Sequence, residues 1–121
     1  MKREAPHLAA GREAERLARL HLERAGLSMR DHNYRAPTGE LDLVMEEGDT
    51  LVFVEVRLRR NPRFGGGIAS VDGRKREKIV RTAAHYLQRH RLSHRQCRFD
   101  VISVGDGDPP AIQWLRGAFE A

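Results

Sequence analysis

Acidic side chains at positions where a buried strand wants apolar ones are the first chemical signal in this chain. Gly39-Glu40-Leu41-Asp42-Leu43-Val44 and Leu51-Val52-Phe53-Val54-Glu55-Val56-Arg57 flank a Gly48-Asp49 turn, the pattern of a β-hairpin. Counting outward from a two-residue loop pairs Glu47 with Thr50 and puts Asp42 opposite Glu55 and Glu40 opposite Arg57. Period-two alternation places Glu40, Asp42 and Val44 on one face of the first strand, while Phe53, Glu55 and Arg57 alternate with Val52, Val54 and Val56. Carboxylates directly opposite repel by up to about 1 kcal/mol in an exposed sheet, and more once desolvated. A divalent cation between them would reverse the sign. The competing reading is a surface hairpin with solvated acids. Against it stands the nearly continuous apolar run Val52, Phe53, Val54, Val56, which fits a central strand covered on both faces.

The neighbouring elements must bring further groups to that hairpin. From about His7 to Ala25, residues Ala10, Ala14, Leu17, Ala18, His21, Leu22 and Ala25 form one helical stripe ended by Gly26. Glu15 falls at its edge, a half-buried carboxylate explained either by a site role or by an intrahelical ion pair with Arg12 or Arg19. Leu27 to Arg35 alternates poorly and suits an edge or interrupted strand, and Ala36-Pro37-Thr38-Gly39 turns into the hairpin. A second helix is predicted from about Asp72 to His90, capped by Ser70 or Asp72, with Ile79, Val80, Ala83, Ala84, Tyr86 and Leu87 inward. Lys75 lies one turn before Ile79 on the inward stripe, either reaching the site or snorkelling over the sheet. Arg98 to Val104 is a further strand, and Ala111 to Leu115 a last one.

Two other chemistries are weighed and set aside. The run Leu58-Arg59-Arg60-Asn61-Pro62-Arg63-Phe64-Gly65-Gly66-Gly67 is a basic loop in which the three glycines are not followed by the Gly-Lys-Ser/Thr of a phosphate cradle. His90, His94 and Cys97 supply only three local ligands between a helix and a strand, too few for a structural zinc site.

The 121 residues suit one domain with a real core. A formal charge of +5, carried by 22 cationic residues of which only Lys2, Lys75 and Lys78 are lysine, favours an anionic partner, nucleic acid first. Arg59, Arg60, Arg63 and Arg74 gather around the glycine loop as the expected nucleic-acid contacts. The single cysteine, Cys97, excludes an intrachain disulfide. With no apolar leader and no membrane-length apolar run, a soluble cytoplasmic protein without a membrane partner is expected.

Asp42, then Glu55-Val56-Arg57, has nearly the form of the Asp…Glu-x-Lys signature of restriction-endonuclease-like, PD-(D/E)XK nucleases. More of the chain resembles the bacterial YraN or UPF0102 family: Gly11-Arg12-x-x-Glu15, Gly39-Glu40-Leu41-Asp42-Leu43, Phe53-Val54-Glu55-Val56, Phe64-Gly65, Val71-x3-Lys75, Ala83-x2-Tyr86-Leu87 and Arg98-Phe99-Asp100-Val101. That family is itself similar to archaeal Holliday-junction resolvases. The resemblance implies an α/β (α+β) restriction-endonuclease-like fold, a central mixed sheet of about five strands flanked by helices. It also implies a Mg²⁺ or Mn²⁺ site at Glu15, Asp42 and Glu55, and a DNA substrate that is branched, cut by a homodimer; in this chain an apolar sheet edge or an exposed patch around Trp114 and Phe119 is the candidate interface. Where the pattern continues Val-Glu-Val-Lys, this chain has Arg57. A guanidinium stabilises charge but stays protonated, so it cannot serve as a base. Either Lys75 replaces the lysine, or water on the metal is acidic enough and Arg57 only clamps charge. A nucleic-acid-binding module of the same fold with weak or lost catalysis is the alternative to an active endonuclease.

Overall fold

The computed structural model describes residues 6–59 and 71–121. They form α1 (Pro6–Arg24), β1 (Ser28–Ala36), β2 (Gly39–Glu47), β3 (Thr50–Arg59), α2 (Gly73–Arg89), β4 (Gln96–Gly105) and β5 (Ile112–Phe119). The five strands make one sheet in the order β1-β2-β3-β4-β5. All neighbours are antiparallel except β3 and β4, which run parallel. A parallel pair needs a long crossover, and the one between β3 and β4 contains α2. The mixed sheet between two helices is consistent with the restriction-endonuclease-like α+β fold.

Each helix covers one face. Ala14, Ala18 and Leu22 of α1 pack on Leu43, Met45, Val52, Val54, Ile102 and Val104. Ile79, Ala83 and Tyr86 of α2 pack on Val44, Leu51, Phe53, Phe99 and Val101. In β3, Leu51 to Val54 are all at most 2 % exposed and feed both clusters, at roughly 1.5–3 kcal/mol per large side chain. The central-strand reading therefore holds, and Glu55 continues directly from a desolvated run.

The helix boundaries match the periodicity to within a residue or two. Asp72 caps α2 by accepting from Lys75 N at 3.0 Å, while Ser70 lies outside the described residues. Two inward assignments fail. Ala25 is exposed because α1 ends at Arg24 and the chain turns through Gly26 at φ +101°. Ala84 is also exposed, and Thr82 takes an inward position instead. Its hydroxyl donates to Lys78 O at 2.8 Å and meets Thr38 Oγ1 at 2.9 Å, so a polar side chain is satisfied in the core.

β1 is the interrupted edge strand expected, with an irregularity between Met29 and Asp31. β5 runs further than its apolar segment suggested. Its extension is held by fully buried Asp100, which accepts from Gly117 N at 2.9 Å, from Trp114 Nε1 at 3.0 Å and from the Arg98 guanidinium. Trp114 and Phe119 are thereby engaged within the chain. Phe119 stacks on Phe99 at 5.1 Å, and among the described residues the exposed large apolar side chains are Leu8 and Leu115.

Candidate metal and phosphodiester site

The hairpin register is the one counted from the turn: Glu47 pairs with Thr50 and Leu43 with Val54. There the ladder ends. One step beyond it, Asp42 turns its carboxylate to the partner strand and accepts from Val56 N at 2.8 Å through Oδ2. The two further pairs counted from the turn, Asp42 with Glu55 and Glu40 with Arg57, are not part of the ladder. Glu40 instead pairs along β1 with Arg35, whose Nε is 3.6 Å away, and accepts from Asn33 at 3.3 Å.

Strict alternation fails at the same place. Leu41 and Leu43 are two apart yet lie in opposite core clusters, Leu41 with Val44 on the α2 side and Leu43 on the α1 side. On the facing strand Asn33 adopts φ +49°, a left-handed conformation that Asn tolerates better than most residues and that re-aims the strand. Asp42 thus sits one step past the end of the β2–β3 ladder, with its carboxylate directed to the backbone of β3.

Glu55 is 5 % exposed and meets two cations: Lys75 Nζ at 3.6 Å and Arg57 Nε at 3.8 Å from Oε1. The Asp42 and Glu55 carboxyls lie close enough to act strongly on one another. Burial first, and then repulsion from Glu55, pushes the Asp42 carboxyl up to about 7. Glu55 is also raised, by burial, against the lowering influence of Lys75 and Arg57. Two carboxyls in contact cannot both be ionised cheaply in such a site, so the pair holds a proton or takes up a cation.

Glu15 approaches Asp42 and Glu40 from α1. Asn33 Nδ2 donates to its carboxylate at 3.1 Å, and the Arg19 alternative does not account for its position, because Arg19 is engaged by Glu23 at 3.2 Å. Its pKa is raised, by burial first, with Asp42 and Glu40 adding repulsion. Among the described residues, no three His, Cys, Asp or Glu side chains are gathered closely enough to hold a metal ion. The tight element is the Asp42–Glu55 pair, with Glu15 in electrostatic reach. An all-oxygen, desolvated pair suits a hard cation such as Mg²⁺ or Mn²⁺.

The basic residues divide. Lys75 is at the site and does not merely snorkel. Arg59 is half-buried and lies across Gly105 of β4, whereas Arg74 is exposed on the first turn of α2. Arg60, Arg63 and the glycine loop lie outside the described residues. Asn33 is the residue that pattern reading missed. Its signal was an Asn in a strand whose alternation fails, where left-handed backbone is tolerated.

This is the architecture of a small α+β domain, restriction-endonuclease-like in its mixed sheet, with a carboxylate pair where two central strands part. The chain belongs to the uncharacterised protein family UPF0102, whose family model matches residues 14–104. That span includes Glu15, Asp42, Glu55, Arg57 and Lys75. The chain is 49% identical over 118 residues to a UPF0102 protein of Alkalilimnicola ehrlichii, covering 97% of this chain and 91% of that protein. A UPF0102 protein of Pseudomonas fluorescens is 47% identical over 95% of this chain and 96% of its own length. One of Pseudomonas aeruginosa is 48% identical over 92% of each. Among the described residues no helix is long and apolar enough to cross a membrane.

Proposed function

We propose that the protein is a metal-dependent, structure-selective endonuclease that hydrolyses phosphodiesters in branched DNA. The observation that carries the proposal is the contact between Asp42 and buried Glu55 at the end of the β2–β3 ladder, with Lys75 Nζ 3.6 Å from Glu55. Asp42 and Glu55, with Glu15 nearby, would hold a Mg²⁺ or Mn²⁺ ion. Such an ion supplies Lewis-acid polarisation of the phosphodiester. Lys75 is the one cation at the pair able to exchange a proton, and it also offsets the negative charge that develops on phosphorus oxygens. Arg57 contributes charge only, because its guanidinium stays protonated. Cutting both strands of a junction calls for two copies, so a homodimer is part of the proposal.

One feature favours a second reading, a nucleic-acid-binding module without catalysis. Arg57 occupies the position of the signature lysine, and Glu55 is already flanked by two cations. Incubation with branched, flapped and linear DNA in Mg²⁺ or Mn²⁺, beside the double variant Asp42→Asn, Glu55→Gln, separates the two. Metal-dependent cutting that the double variant lacks supports the endonuclease; DNA binding without cutting by the wild type supports the module.

A further inference from the structure

Between α1 and the β1–β2 face lies a groove of about 430 Å³ whose lining includes Glu15 and Asn33. One wall carries Arg12, Arg16 and Arg19, and the opposite side carries His32. Spacing of four and three residues puts the arginines on one helical stripe, spanning about 10 Å. The floor is apolar, made by Met29 and Leu43. Arg16 is paired with Glu13 at 2.6 Å and Arg19 with Glu23 at 3.2 Å, and both pairs are exposed. Exposed pairs of this kind contribute about 0–1 kcal/mol, so a phosphate can take over the Arg16 and Arg19 guanidiniums at little cost.

These features select one occupant. A row of guanidiniums along one wall matches a phosphodiester backbone. An apolar floor offers contact to the face of a base, and that face is free only where the strand is unpaired. The volume is in the range of small-ligand sites, about 300–1,000 Å³, the scale of a nucleotide or two. Glu15 and Asn33 line the groove and also belong to the carboxylate site. A strand in the groove therefore leads straight to Asp42 and Glu55.

Resting on the endonuclease reading, we infer that the α1–β1 groove seats an unpaired nucleotide segment next to the scissile phosphate, and so gives the enzyme its preference for strands that leave a duplex.

The test is binding in EDTA, where no cutting occurs, by fluorescence anisotropy with a labelled single strand, a flapped duplex and a blunt duplex of equal length. The groove variant is Arg16→Glu with Arg19→Glu. The control with the same charge change is Arg81→Glu with Arg89→Glu, exposed on α2 on the opposite face of the sheet. Thermal melts confirm that both variants fold. Expected are tighter wild-type binding to the single strand and flap than to the blunt duplex, and a loss on the order of tenfold or more for those two ligands in the groove variant only. Equal losses in groove and control variants, or no wild-type preference for unpaired strand, overturn the groove while leaving a DNA-binding nuclease standing. No wild-type binding to any of the three overturns the groove and the functional reading together.

Discussion

Lys75 Nζ stands 3.6 Å from Glu55 Oε1, although one residue is on the first turn of α2 and the other on β3. Arg57, two residues along the same strand, places Nε 3.8 Å from the same oxygen. Where the signature has one strand lysine, two cations, a strand arginine and a helix lysine, stand beside Glu55 here. Lys75→Ala is expected to lower cleavage on the order of 10²-fold, the usual range for a lost proton-transfer or charge-stabilising group. Arg57→Lys is expected to keep or raise it. A modest loss in Lys75→Ala would instead leave Arg57 as the clamp and no protein base. A wild type that cuts nothing, beside an Arg57→Lys variant that cuts, would identify a disabled nuclease.

DNA binding should weaken steeply with salt, since each phosphate contact adds about −0.9 to the log–log slope for duplex and −0.7 for single strands. Exposed Arg74 is expected to carry a full contact, so Arg74→Ala should make the slope shallower by about one. Arg59 is folded across Gly105, so Arg59→Ala should change the slope less. Titrations between low and high salt measure both; a salt-independent affinity would remove nucleic acid as the partner.

The hairpin and its register were legible because a two-residue turn and period-two alternation leave little freedom once one strand is fully apolar. Lys75 was legible from helical spacing alone. The irregular alternation around Asp42 was not, because period-two counting assumes that every residue takes extended backbone, and Asn33 on the neighbouring strand does not. Thr82 and Asp100 were passed over for a related reason. Hydrophobic patterning marks polar residues as outward, whereas these two are buried with their hydrogen bonds satisfied by Lys78, Thr38, Trp114, Gly117 and Arg98.

Asn33 both relieves the backbone at φ +49° and holds Glu15 and Glu40 through one amide. These roles separate by substitution. Asn33→Ala introduces left-handed strain of about 1 kcal/mol, whereas Asn33→Gly does not, so the alanine variant should melt about 4 °C below the glycine variant. Both lose the amide and should lose cleavage to a similar extent. Equal melting temperatures would discount the backbone argument; full activity in Asn33→Gly would discount the positioning of Glu15.

The raised carboxyl of Asp42 makes a pH prediction with a definite sign. Its ordinary value is 3.8 and its folded value about 7, so between those limits the folded protein binds more protons than the unfolded chain. Stability then falls as pH rises through that window, the reverse of the usual salt-bridged carboxylate. In EDTA the wild-type melting temperature should decline from pH 5 to pH 8. Asp42→Asn, which cannot ionise, should remove most of the decline and be the more stable of the two at pH 8. Glu55 is raised by the same burial, so some residual slope is expected to remain in the variant. Mg²⁺ competes with the proton for the same oxygens, and its stabilisation should be larger at pH 8 than at pH 5 and absent from Asp42→Asn, Glu55→Gln. A wild-type melting temperature that is flat or rises over this range would show that the pair is not the strained, proton-sharing site described above, and equal Mg²⁺ stabilisation in wild type and double variant would place the cation elsewhere.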